Sequence, residues 1–247
     1  MPTPLTRYQQ AIDEGSIKPD PQQLNVLSVL QTIHHQLIER QRIRDSTVGQ
    51  LRRAIKPRKP IKGLYLWGKV GIGKTFMMDL FYDSLPVKKT RQHFHHFMRD
   101  LHRQLREHQG EKDPLNAIAK DIADQYLVIC FDEFFVTNIA DAMLLRQLFP
   151  ALFARGLCSV TTSNAAPDQL YLDGIQRDQF LPAIELIKQH TKTMHLSSDK
   201  DYRRQHLEKA GVYYTPNNKE AEHNLNISFQ HFCQSTEINN NPITINN

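Results

Sequence analysis

Gly68-Lys69-Val70-Gly71-Ile72-Gly73-Lys74-Thr75 meets the pattern GxxxxGK[ST] at each of its fixed positions. The spacing has a chemical reason. A loop that aims successive backbone N–H groups at phosphate oxygens must turn too tightly to leave room for a Cβ, so glycine stands at the bends. Lys74 brings a cation to the β- and γ-phosphates of a nucleotide, and Thr75 offers a hydroxyl to Mg²⁺. The flanks agree with this reading. Leu64-Tyr65-Leu66-Trp67 is apolar and reads as a buried strand, while Phe76, Met77, Leu80, Phe81 and Leu85 recur at helical spacing. Lys74 therefore opens a helix whose positive dipole end faces phosphate. A glycine-rich turn matching by chance would lack both neighbours, so all eight residues are assigned to nucleotide binding.

A phosphate cradle by itself breaks no bond. Leu127-Val128-Ile129-Cys130-Phe131 is an apolar strand that delivers Asp132 and Glu133 at its C-terminal end. Ligands of open parallel sheets bind beyond such ends, so this strand and the loop can share a crevice. Asp132 is assigned to Mg²⁺, directly or through water. Glu133 is assigned to orienting and polarising the attacking water. An Asp-Glu pair in isolation is commonly a solvated loop start; the loop upstream is what tips the reading toward catalysis.

The next strand ends Thr161-Thr162-Ser163-Asn164. If it lies beside the carboxylate strand, the Asn164 amide can reach the γ-phosphate or the water, a sensing role preferred here over a turn residue. Arg177 is a candidate arginine finger acting in trans on a neighbouring subunit's nucleotide, the alternative being a helix-start arginine in a surface ion pair. Arg155, before Gly156, suits a helix C-terminus. His93, His95 and His96 read as structural, because an extended His93–Met98 strand puts only His93 and His95 on one face.

Along the rest of the chain, Asp20-Pro21 caps a long helix with Leu24, Leu27, Leu30, Ile33, Leu37 and Ile38 on its apolar side, running toward Arg53. Helices follow near Leu101–His108, from Asp113-Pro114, across Ile139–Phe153 with a bend or break at Pro150, and over Phe180–Gln189. Leu157–Thr162 and Thr193–Leu196 complete the strands. Strands alternating with helices imply right-handed crossovers and a parallel three-layer α/β sandwich. The expected organisation is a helical extension over 1–55, a basic proline-containing linker over 56–62, the nucleotide-binding core over 63–214, and an Asn-rich, poorly ordered tail over 215–247 with one weak helix around Phe229 and Phe232.

Composition narrows the class. The net charge of +5 over 247 residues is mild. Its densest run, Arg52, Arg53, Lys56, Arg58, Lys59 and Lys62, is interleaved with Pro57 and Pro60 and holds no aromatic residue. A solvated linker is preferred there over nucleic-acid contact. Cys130, Cys158 and Cys233 are far apart and without CxxC spacing, which gives neither a disulfide framework nor a zinc site. The longest apolar run, Tyr126–Phe131, is too short to span a bilayer, and Met1–Gln10 lacks the pattern of a secretory signal. A cytoplasmic protein is expected.

With these residues assembled, the chain resembles the ZapE-like cell-division ATPases and their lactation-elevated-protein relatives, a branch of the AAA+ superfamily. The matching segments include Gly63-Leu64-Tyr65-Leu66-Trp67-Gly68, Met78-Asp79-Leu80-Phe81-Tyr82, His93-Phe94-His95, Cys130-Phe131-Asp132-Glu133-Phe134, Thr162-Ser163-Asn164, Arg177–Ile184 and Asp201-Tyr202-Arg203. Arg7-Tyr8-Gln9 and Pro19-Asp20-Pro21 also fit, so the resemblance spans roughly residues 5–215. It implies an AAA+-type P-loop fold, ATP as substrate, Mg²⁺, a homo-oligomer and, through the bacterial members, an FtsZ-type division protein as partner. It also implies a helical lid with a second sensing arginine, largely absent here, with Arg203 or Arg204 as weak substitutes. Two alternatives remain open: an ATP-dependent nucleic-acid remodelling protein, and a nucleotide-binding module impaired in hydrolysis.

Overall fold

The computed structural model describes residues 2–46, 60–197 and 218–233, with side chains to residue 227. It divides into two compact units, Met1–Asp199 and Lys200–Asn247.

The first unit opens with α1 (Pro4–Asp13), started by Thr3, whose hydroxyl accepts from the Thr6 N–H in a capping box. Asp20 then accepts from the Gln22 and Gln23 N–H groups at 2.8 and 3.3 Å and opens α2 (Pro21–Asp45), with Pro21 at the first helical position. The expected run of that helix toward Arg53 extends past Ser46, outside the described residues. Next come β1 (Gly63–Trp67), α3 (Lys74–Ser84), β2 (Lys89–His93), α4 (Phe94–Glu107), α5 (Pro114–Gln125) and β3 (Val128–Asp132). After them follow α6 (Ile139–Ala154), β4 (Cys158–Ser163), a 3₁₀ turn (Pro167–Gln169), α7 (Arg177–His190) and β5 (Thr191–His195).

All strand pairs are parallel, in the order β2-β3-β4-β1-β5. Alternation along the strands splits the core into two layers. Leu64, Leu66, Val128, Cys130, Cys158 and Val160 pack with α1, α2 and α3 on one face. Tyr65, Ile129 and Phe131 pack with residues of α4 to α7 on the other. This is the expected three-layer parallel α/β sandwich. Cys130 and Cys158 are free and buried in it, and burial pushes the Cys158 thiol up to about 12, with Cys130 displaced further the same way. Both are protonated core residues at neutral pH.

Three expectations need correction. The strand assigned to His93–Met98 is in fact the end of β2 followed by α4. Phe94, Phe97, Met98 and Leu101 are buried at positions i, i+3, i+4 and i+7, a helical period that continues past the short apolar run. The His93, His95 and His96 rings consequently form one cluster, with centroids 3.9 to 6.1 Å apart, rather than alternating between faces. Secondly, α6 is not interrupted at Pro150; Leu148, Phe149, Leu152 and Phe153 are buried on both sides of it, and that packing outweighs the lost backbone bond. Thirdly, the last strand lies two residues earlier than Thr193, and α7 already begins at Arg177.

The second unit carries α8 (Lys219–Cys233), inside the segment expected to be poorly ordered. Asn218 starts it by accepting from the Ala221 N–H at 2.8 Å. Among the described residues no helix is long and apolar enough to cross a membrane.

Candidate functional site

The site is assembled at the C-terminal ends of β1, β4 and β3, which are neighbours in the sheet. As β1 ends, the Gly68 N–H donates to the Ser163 carbonyl of β4 at 3.2 Å. A Cβ at Gly68 would stand 2.2 Å from the Leu196 carbonyl oxygen, so the chain passes there only as glycine. Buried Ile72 anchors the loop from beneath. Gly73, at φ +92, is the residue that caps α3. Having no side chain, it leaves the first-turn N–H groups of that helix without a side-chain cap, the arrangement that suits an anion.

Lys74 heads α3, and its ammonium donates to the Gly68 and Lys69 carbonyls at 2.7 and 2.6 Å and to Asn164 Oδ1 at 3.0 Å. Two residues read separately from the sequence are thus in contact. Thr75 follows in the same first turn, exposed. Beyond Asn164 the chain is pinned: the Tyr65 hydroxyl donates to the Ala165 carbonyl at 3.0 Å and the Ala165 N–H to Ser163 Oγ at 3.2 Å. Burial raises the Tyr65 hydroxyl above its ordinary range, so it stays a donor.

Asp132 ends β3 and is buried; Glu133 follows at φ +53, a left-handed conformation uncommon for a residue with a side chain. Such geometry persists only where the surroundings impose it. Here the Glu133 N–H donates to Thr162 Oγ1 at 3.2 Å, the Phe134 N–H to the Thr162 carbonyl at 2.8 Å, and Ser163 Oγ to the Phe134 carbonyl at 2.7 Å. Phe134 is itself sunk into an aromatic cluster, 4.3 Å between ring centroids from Phe94. The turn is held by its backbone and by Phe134, and the Glu133 side chain is exposed. Thr162→Val keeps the shape but strands the Glu133 N–H. We expect a loss of about 0.5–1.5 kcal/mol in urea denaturation, the range for a hydrogen bond that is only part-buried.

Arg91, on β2, was not singled out from the sequence. Its Nε donates to Asp132 Oδ2 at 2.6 Å and its Nη2 to Oδ1 at 3.4 Å, while Nη1 donates to Asp79 Oδ1 at 2.6 Å. Burial works against the charge on Arg91, but hydrogen bonds to Asp132 and Asp79 outweigh it and hold the guanidinium above the ordinary arginine range. Arg177, the first residue of α7, donates to the Asp168 carbonyl at 2.6 Å. Arg155 is at the C-terminus of α6, donating to the Ala151 carbonyl and to Asn116 Oδ1. Of the basic run, Arg52 to Lys59 lies outside the described residues, as do Arg203 and Arg204 and the Cys233 side chain.

Residues 2–247 match the family model of the AFG1-like ATPases. The chain belongs to the AFG1-like ATPase family. It is 46% identical over 223 residues to the cell division protein ZapE of Escherichia coli (strain K12), a match covering 87% of this chain and 60% of ZapE. Lactation elevated protein 1 homolog B of Danio rerio is 39% identical over 188 residues, 71% of this chain and 37% of that one. The chain therefore spans less than two thirds of these relatives. Among solved structures, that of DnaI superposes with a TM-score of 0.50 at 16% identity, covering 74% of this chain and 89% of DnaI. That likeness is one of fold. The AFG1-like family is the one that the sequence motifs resemble.

Proposed function

We propose that this chain binds ATP with Mg²⁺ and hydrolyses it. The carrying observation is the 3.0 Å hydrogen bond from Lys74 to Asn164, which directly follows β4, the strand whose Thr162 also holds the Glu133 turn. It supports a single crevice served by the phosphate loop, the sensing amide and the acidic pair. Gly68 to Thr75 cradle the phosphates, and a phosphate oxygen takes over the Lys74 contacts now made by the Gly68 and Lys69 carbonyls. Glu133 orients the attacking water and accepts its proton; Asn164 reads the γ-phosphate.

The Thr75 hydroxyl and the Asp132 carboxylate are hard oxygen donors of the type Mg²⁺ takes; both Asp132 oxygens already accept from Arg91, and with their remaining lone pairs they would hold the ion directly or through water. When bound, the ion supplies positive charge at the β- and γ-phosphate oxygens. Arg177, at the start of α7, is proposed to act on the nucleotide of a second copy, which makes the working form a homo-oligomer. The name of the E. coli relative supports a role in cell division, and the family resemblance adds a cytoplasmic location and an FtsZ-type protein as partner.

Purified chain is expected to release phosphate from ATP only with Mg²⁺, and to sediment faster with nucleotide than without. No phosphate in either multiple- or single-turnover conditions, alongside a normal ATP isotherm, would replace this reading with a binding module. Stimulation by DNA that fades steeply with salt would point to the nucleic-acid alternative instead.

A further inference from the structure

Arg91 sits where β2, β3 and α3 meet. It lies third in β2, in register with Cys130 of β3, and so on the face of the sheet that α3 covers. Asp132, two residues beyond Cys130, shares that face by alternation. Asp79 is four residues beyond Thr75 on α3, one helical turn along the same side. The guanidinium fills the space between: one edge grips both oxygens of Asp132, and the remaining Nη1 grips Asp79.

The Arg91 and Asp132 side chains are only 19% and 10% exposed, so that arm is internal, while Asp79, at 47%, stands at the rim. Tyr82 closes its flank, with the guanidinium carbon 5.9 Å from the ring centroid. Only a planar fork can serve two carboxylates in fixed directions; an ammonium is a point charge.

We propose that Arg91 is a positioning residue for the metal-dependent step. Through Asp79 it fixes the helix that presents Thr75, and through Asp132 it fixes the carboxylate, so the two proposed Mg²⁺-holding groups keep one separation. It also offsets the charge of two carboxylates beside the crevice. This rests on the ATP–Mg²⁺ reading above, and concerns the alignment of that site. Groups that orient a metal's ligands change metal affinity or activity by about 10–100-fold when removed.

The experiment measures two quantities on full-length wild type, Arg91→Gln, Arg91→Lys and Asp79→Asn. One is the affinity for a fluorescent ATP analogue in EDTA and in Mg²⁺; the other is the Mg²⁺ concentration giving half-maximal turnover. Arg91→Gln is expected to keep the EDTA affinity, lose most of the gain that Mg²⁺ brings, and raise half-saturating Mg²⁺ by about tenfold or more. Arg91→Lys should be intermediate and Asp79→Asn smaller in the same direction. Circular dichroism and melting confirm folding; if Arg91→Gln does not fold, Arg91→Lys decides alone. Folded variants whose Mg²⁺ dependence stays within twofold of wild type would leave Arg91 a purely structural brace and overturn the proposal. A wild type whose nucleotide affinity and turnover both ignore Mg²⁺ would instead remove the metal reading itself, and the inference with it.

Discussion

Glu133→Gln is expected to bind ATP as tightly as wild type and to turn it over about 10²–10⁴-fold more slowly, the range a positioned proton acceptor contributes. The amide has the size of the carboxylate but is too weak a base to take a proton from water. What makes this a clean test is how the residue is held. Its left-handed backbone is fixed through its own N–H on Thr162 Oγ1 and through Phe134, none of which involves the carboxylate. The side chain is exposed, so its replacement leaves no cavity and strands no buried partner. Folding and phosphate binding should survive while the chemical step does not. Phosphate release at saturating ATP, paired with a binding isotherm, separates the two. Turnover within threefold of wild type would mean that the water is oriented by something else.

Why the loop and the acidic pair stand out in the sequence, and Arg91 does not, follows from where their information lies. Gly68 to Thr75 is a local pattern: the bends, the cation and the helix start are set by eight consecutive residues and what immediately flanks them. Asp132 and Glu133 are announced by a strand whose residues are buried on both faces and therefore uninterruptedly apolar. Strand β2 is different. Lys89-Thr90-Arg91-Gln92-His93 lies at the edge of the sheet, where among the described residues one side has no neighbouring strand, and its residues are half-buried or exposed. It lacks the apolar alternation that marks a strand, and the nearest apolar residues, Phe94 and Phe97, drew the assignment forward into what is α4.

Arg91 gains its partners only from tertiary placement. One is Asp132, which the β2–β3 register brings close; the other is Asp79, which arrives through the packing of α3 on the sheet. No spacing in the chain encodes either. The same holds for the strand order. Motif spacing gives βα alternation, but not that β4 is inserted between β3 and β1, and it is that insertion which carries Thr162 to the Glu133 turn and Asn164 to Lys74. The polar start of α1 was missed for another reason. Its evidence is a reciprocal Thr3–Thr6 cap on a helix that buries only Pro4 and Tyr8, which leaves little periodicity to detect.

Lys74→Ala should abolish measurable ATP binding, weakening it by roughly 10²-fold or more, since the cation lost is one that charge-assisted bonds to phosphate depend on. Its ammonium ties the loop to the segment that leaves β4, through Gly68, Lys69 and Asn164. Removing it therefore takes away a phosphate contact and also the tie that sets the loop against the sensing amide. Lys74→Arg should rescue little. Three acceptors converge on one nitrogen here, and a planar guanidinium cannot gather them at a single point. Asn164→Ala removes one of those acceptors and a γ-phosphate contact, so a smaller loss in affinity and a larger one in turnover are expected. Thermal melting gives the sharpest readout. A ligand at a hundred times its dissociation constant stabilises a folded protein by about 2.7 kcal/mol, and that upward shift in Tm should be present in wild type and fall to the equivalent of about 0.4 kcal/mol or less in Lys74→Ala. An undiminished shift in the variant would mean that nucleotide binds elsewhere, and the crevice at the ends of β1, β4 and β3 would lose its claim to the phosphates.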